Sequence, residues 1–293
     1  NLPQQPFQTT ITTDADTTDL GGCSEQPETV ALVSLDSTRD ESTLSVYNDF
    51  LDQVKRTPLP KELKAYVSSD PDGKYDRTLV EFCCGPDSLL GQRTKHSRGC
   101  RVIRITQEVD GASAAAAYLS AKGCTSGKAL LFASIPCTGG CGWQHINKDM
   151  PGGPARIRMH IRNMLPLFRM FSELAHIAVS CGAYVCIEWP VGCTYWKRRD
   201  VKQLISKLKL DCVHFNGCAV GLTDKNGAPL YKPWKFATNC PDIVKAFHTL
   251  KCSRDHKHGT TRGQDAKTSE SYTVDFAATL HDAFSSAPRR LNN

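Results

Sequence analysis

Nowhere in the chain do apolar residues run for the roughly 20 positions a helix needs to cross a bilayer. No charged-then-apolar leader ends in a small-residue cleavage site either, and together these lacks lead to the expectation of a soluble protein with no membrane partner. Internal repeats are missing, which excludes solenoids and propellers. Strong charge is missing as well. Against 36 Lys and Arg stand 30 Asp and Glu, a net +6 that tolerates a polyanionic partner without demanding one. Cysteine is the exception, at 14 residues. Several of these thiols (Cys83, Cys84, Cys186, Cys212, Cys218) sit in apolar, strand-like runs rather than in a compact loop framework. They read as reduced thiols of an intracellular protein, nuclear or cytoplasmic. With 293 residues, 40% of them hydrophobic, the chain can bury the core of one large domain with appendages.

Residues 1–40 are rich in Thr, Asp, Gln and Ser and read as a flexible lead-in. Residues 41–75 form an accessory helical segment, with Leu44, Tyr47, Leu51 and Val54 at helical spacing until Pro58 and Pro60 end it. From 76 to 240 the pattern alternates. Apolar runs at 78–83, 101–106, 129–134 and 183–189 predict strands, and 87–96, 111–122, 154–180 and 199–208 predict helices. Such alternation belongs to an α/β fold around a mostly parallel sheet. Two last strand-like runs, 212–218 and 234–238, flank Asn226-Gly227, a hairpin signal. The remaining residues, 241–293, form a C-terminal extension with a docking helix over 273–284.

Four constellations stand at predicted strand ends. The turn Phe82-Cys83-Cys84-Gly85-Pro86-Asp87-Ser88 follows the first strand, where glycine lets backbone approach a ligand; an ordinary tight turn is the alternative. Glu108 and Asp110 follow the second, placed either to accept hydrogen bonds from a ribose or to face water. Pro136-Cys137 follows the third, a thiol open to substrate or a structural cysteine in a glycine-rich loop. Glu188 ends the fourth apolar strand, where desolvation would let it hold a proton near neutrality, unless an arginine such as Arg158 pairs with it.

In this order the four resemble the cytosine-5 methyltransferases that modify nucleic acid. The Ser-Ile-Pro-Cys-Thr and Glu-Trp-Pro motifs also resemble methyltransferase-like domains of mobile-element polyproteins. The resemblance covers about 76–240. It implies a class I methyltransferase-like, Rossmann-like sheet with helices on both faces and a terminal antiparallel hairpin. It implies S-adenosylmethionine held by Phe82, Cys84, Gly85, Asp87, Ser88, Glu108, Asp110 and Pro136, with Cys137 as nucleophile and Glu188 as its acid partner. Nucleic acid, DNA rather than RNA, would then meet Trp143 and the arginines Arg158, Arg162 and Arg169. The chain departs from the family in lacking a strand between Asp110 and Ala129, and in Thr138, where glutamine is usual. A methyltransferase of exocyclic amines, and an inactive nucleic-acid-binding module, are the alternatives. Separately, Cys240, Cys252, His256 and His258 supply the sulfur and imidazole ligands that suit zinc; a solvated basic loop is the other reading.

Overall fold

In a computed structural model the protein is described over residues 41–68, 73–260 and 269–290, the side chains of 41–47 excepted. The expected lead-in, 1–40, lies outside them. Strands β1 (Arg77–Phe82) and β3 (Ala129–Ala133) are buried at every position, and β4 (Tyr184–Pro190) at every position but the last. A strand with no wet face belongs at the centre of a sheet covered on both sides. By contrast β2 (Cys100–Ile105) half-exposes Arg101 and Arg104, and β5 (Asp211–Asn216) exposes Asp211, Cys212 and His214; these are the two edges. With β6 (Pro233–Thr238) they make a six-stranded sheet in the order β2-β1-β3-β4-β6-β5. Strands β1 to β4 are mutually parallel, and β6 runs antiparallel between β4 and β5, setting Phe236 opposite Glu188.

Helices cover both faces. On one lie α1 (Glu41–Arg56), α2 (Ala114–Cys124), α4 (Gly153–Ser180) and α5 (Arg199–Lys207), sharing a core with Val80, Phe82 and Leu131; the short α3 (Gln144–Asn147) precedes α4. Helix α2 starts at Ser113, whose hydroxyl accepts from Ala116 N at 3.1 Å. Its Gly123 lies over Val80 and Ile103 with no room for a Cβ, which brings the helix close to the sheet. Helix α4 continues through Pro166, which faces solvent. The opposite face is covered by α6 (Pro241–His248) and α7 (Val274–Ser286), whose Ile243, Phe247, Phe276, Leu280 and Phe284 are buried against β3, β5 and β6. Residues set apart by sequence as an extension thus supply the cover of half the core. The helix expected over 87–96 is only a 3-10 turn, Leu89–Gly91. Beyond it the hydroxyls of Thr94 and Ser97 take up the backbone N–H groups of Ser97, His96 and Thr94. Among the described residues no helix is long and apolar enough to cross a membrane.

The chain leaves β1 for β2 on one side and returns past it to β3 on the other. At such a reversal the loops part and open a crevice beyond the carboxyl ends of the strands.

Candidate active site

A cavity of about 710 Å³ occupies that crevice, walled by the loops after β1, β3 and β4 and closed by Lys232, Trp234 and residues 270–272. The first wall begins with a sharp reversal: Cys83 takes φ +62°, and Cys84 N returns to Ile105 O at 3.1 Å. Glu81, wholly buried, accepts from the Ser88 hydroxyl with Oε1 and leaves Oε2 without a hydrogen-bond partner. Burial lifts its pKa from 4.5 to about 7, against the pull of Ser88, Cys84 and Arg104.

The second wall carries Cys137, whose φ −90° and ψ 3° place it in the sparsely allowed bridge region. A short 3-10 turn (Thr138–Gly140) follows, pressed against α4 and Tyr195. A Cβ on Gly139 would stand 3.0 Å from Ile161 N, and one on Gly140 2.8 Å from the Tyr195 ring, so only glycine admits this approach. Burial first, then the charge of Glu188 and the thiols of Cys193 and Cys141, push the Cys137 thiol well above its ordinary range. Lys232 pulls the other way and is outweighed. The resting group is therefore a thiol, not a thiolate.

Glu188 forms the third wall. The Tyr272 hydroxyl donates to its Oε2 at 3.1 Å and lies 2.5 Å from the Ser134 hydroxyl, while Oε1 is buried without a partner. Burial raises Glu188 from 4.5 to about 7, and Lys232 and Tyr272 only partly offset it. Lys232, held over the Trp234 ring at 5.0 Å, donates to Ser269 O; burial lowers its pKa against the pull of Glu188, Cys137 and Glu270. Four acidic side chains (Glu81, Asp87, Glu188, Glu270) thus share the cavity with one amine.

Of the residues singled out in the sequence, Cys84, Gly85, Asp87, Ser88, Pro136, Cys137 and Glu188 line this one space. Phe82 does not: strand alternation turns it to the other face, where its ring packs 6.0 Å from that of Phe171. Glu108 is exposed outside the cavity, and Asp110, at φ +53°, spends a carboxylate oxygen on Ala112 N at 3.1 Å. Arg158 faces solvent and is not the cation beside Glu188; that group is Lys232. Trp143, Arg158, Arg162 and Arg169 are all exposed. The suggested metal set is corrected at one position. Cys252, His256 and His258 converge, but Cys240 is wholly buried at the start of α6, and Cys218 stands in its place. Sequence reading missed Lys232 and Tyr272: Lys232 shares an aromatic run with Lys235, Tyr272 stands between Ser271 and Thr273, and nothing in either stretch singles the residue out. The chain matches no protein-family model and no curated protein.

Proposed function

We propose that the chain is an S-adenosylmethionine-dependent methyltransferase acting on nucleic acid, at cytosine C5. One observation carries the reading: a single cavity gathers the glycine turn after β1, the Pro136-Cys137 loop after β3 and Glu188 on β4. Two others support it. The sheet ends in an antiparallel hairpin of β5 and β6, as the resemblance implies, although it also lacks the strand between β2 and β3 that the family carries. The cavity's excess of carboxylates suits a ligand bearing a sulfonium and an ammonium. Its volume falls within the ~300–1,000 Å³ of small-molecule sites. Cys84, Gly85, Asp87, Ser88 and Pro136 would hold the cofactor, with the ribose toward the loop of Glu108 and Asp110.

The cofactor supplies an electrophilic methyl group. The rest falls to the protein. Cys137 Sγ bonds to C6 of a cytosine turned out of the stack. Glu188, poised near neutrality, takes the thiol proton and passes it to N3, so no free thiolate has to persist in a site that disfavours one. Once C5 carries the methyl group, a water molecule takes the C5 proton, the C5–C6 double bond re-forms as the C6–Sγ bond breaks, and the N3 proton returns through Glu188 to Sγ, which restores the ring and the thiol.

Fluorine at C5 blocks that last step. An oligonucleotide containing 5-fluorocytosine, incubated with the full chain and the methyl donor, should become attached in a denaturant-resistant adduct. Cys137→Ser should abolish the adduct while cofactor binding persists. Glu188→Gln should slow its formation about 100-fold or more. A second reading has one observation behind it, the raised Cys137 thiol, which suits a methyltransferase of exocyclic amines whose cysteine only shapes the pocket. Methyl transfer without adduct would establish that reading; neither transfer nor cofactor binding would leave a nucleic-acid-binding module.

A further inference from the structure

We infer that Cys218, Cys252, His256 and His258 form a closed, tetrahedral zinc site that pins the loop after α6 to the sheet. The four ligand atoms lie within 4.8 Å of one another. Cys252 Sγ is 3.7 Å from His256 Nε2 and 3.3 Å from His258 Nε2, and the two Nε2 atoms are 3.0 Å apart. A tetrahedron with Zn–S of about 2.3 Å and Zn–N of about 2.0–2.1 Å has S···N edges of roughly 3.6 Å and an N···N edge of roughly 3.3 Å. Cys252, His256 and His258 already stand at nearly those separations, and Cys218 Sγ lies within 4.8 Å of each of their ligand atoms.

Their surroundings match the role. His256 Nδ1 is 2.8 Å from the Asp255 carboxylate, which accepts in turn from the Ser253 hydroxyl at 2.6 Å. That pairing keeps the ring proton on Nδ1 and leaves the Nε2 lone pair facing inward, the usual support of a metal-bound histidine. Arg254 adopts φ +62°, a conformation costly for a side-chain-bearing residue, and its N–H thereby points at Cys252 Sγ, 3.3 Å away. The Tyr231 ring packs edge-on against His258, with centroids 5.3 Å apart. Two sulfurs and two imidazoles select zinc over hard cations, and four protein ligands leave no open position, so the site is structural.

What it holds is a stretch without helix or strand, residues 251–260. Backbone bonds moor this stretch at both ends: Cys252 N to Asn216 Oδ1 and Gly259 N to Pro229 O, each 2.9 Å. Cys218 comes from the turn after β5, and Gly217 N beside it donates to the carbonyls of Tyr231 and Lys232. The metal would therefore fix the segment that carries Lys232 into the cavity. The inference rests on residues outside that cavity and is independent of the methyltransferase reading.

Full-length protein purified without chelator from zinc-supplied cells should contain one zinc per chain by elemental analysis. Cys218→Ser and Cys252→Ser should each lose it, and Cys240→Ser should keep it. Cobalt(II) exchanged into the wild-type chain should show the intense visible bands of a tetrahedral centre with thiolate charge transfer. Should the serine variants fold poorly, His256→Cys keeps four ligands and should retain the metal with a shifted cobalt spectrum. Chain that takes up no zinc or cobalt on reconstitution, or zinc that survives loss of Cys218 but not of Cys240, overturns the assignment.

Discussion

A carboxyl group taken from water holds its proton to higher pH, and Glu81 and Glu188 both stand in that position, the cations beside them offsetting only part of the burial. Ser88, Cys84 and Arg104 around the first, and Lys232 and Tyr272 around the second, leave each near a pKa of about 7 rather than 4.5. Between those values the folded chain keeps a proton that the unfolded chain has released. Each group therefore makes folding less favourable as pH rises from about 4.5 to about 7, and the loss levels off above. Glutamine imitates the neutral acid and carries no such loss. Glu188→Gln should match the wild type in stability near pH 4 and exceed it by a few kcal/mol, on the order of 3, at pH 8. Denaturant titration across that range measures the difference, and a gap that does not change with pH would show Glu188 ionising at its ordinary value. On the proposed function the cost is borne because the partnerless Glu188 Oε1 is kept for a ligand.

At the scale of elements, α7 joins the core to the cavity. Thr273 caps it by accepting from Phe276 N at 3.1 Å, and the Phe276 ring stacks on Tyr272 at 4.1 Å with 2° between planes. Phe276 also meets Phe132, Phe215, Trp234, Phe236 and Phe247. Phe276→Ala should cost about 3–5 kcal/mol in chemical denaturation. On the proposed function it should also free Tyr272 from Glu188, so adduct formation with 5-fluorocytosine should slow in the folded fraction; Phe276→Leu should do less on both counts. Full stability in the alanine variant would mean that α7 is not seated as described. The sequence announces the strands because β1, β3 and β4 are buried on both faces and so read as short apolar runs, and α4 because its apolar residues recur at helical spacing. It announces Cys84, Cys137 and Glu188 because each lies at or just beyond a strand end, within one contiguous motif. Phe82 falls outside the site although it ends the same strand, because period-two alternation beside Glu81 turns it to the other face. Tyr272 could not be read: its bond to Glu188 spans 84 residues, and only the seating of α7 brings them together. Cys240 lies nearer along the chain to Cys252 than Cys218 does, but the helix α6 takes it into the core, while the end of β5 carries Cys218 to the loop.

For the whole molecule, the proposed function requires that a polyanion reach a cavity lined by acidic side chains. A net +6 spread evenly would not guide it. The arginines of α4 are not spread evenly: Arg158, Arg162 and Arg169 are 4 and 11 residues apart, which at about 100° per residue puts all three within roughly 40° of one line. They form an exposed stripe about 16 Å long, at a rise of about 1.5 Å per residue. The Cys137 loop lies against the same helix, and beyond it Trp143, Ile146, Met150 and Met159 offer exposed apolar surface on which an unstacked base can rest. The stripe can therefore hold phosphates while the neighbouring loop receives a base. On the proposed function, replacing all three arginines with alanine should weaken nucleic-acid binding without regard to sequence. It should also flatten the dependence of log K on log salt by about 0.9 for each phosphate left without its arginine on a duplex, or about 0.7 on a single strand. Folding stability should barely move, because the three side chains are exposed. The size of the flattening also separates substrates: about 2.7 points to duplex and about 2.1 to single strand, if each arginine meets one phosphate. An unchanged slope would show that the polyanion does not run along α4, and the acidic cavity would then have to be reached from the opposite side of the sheet.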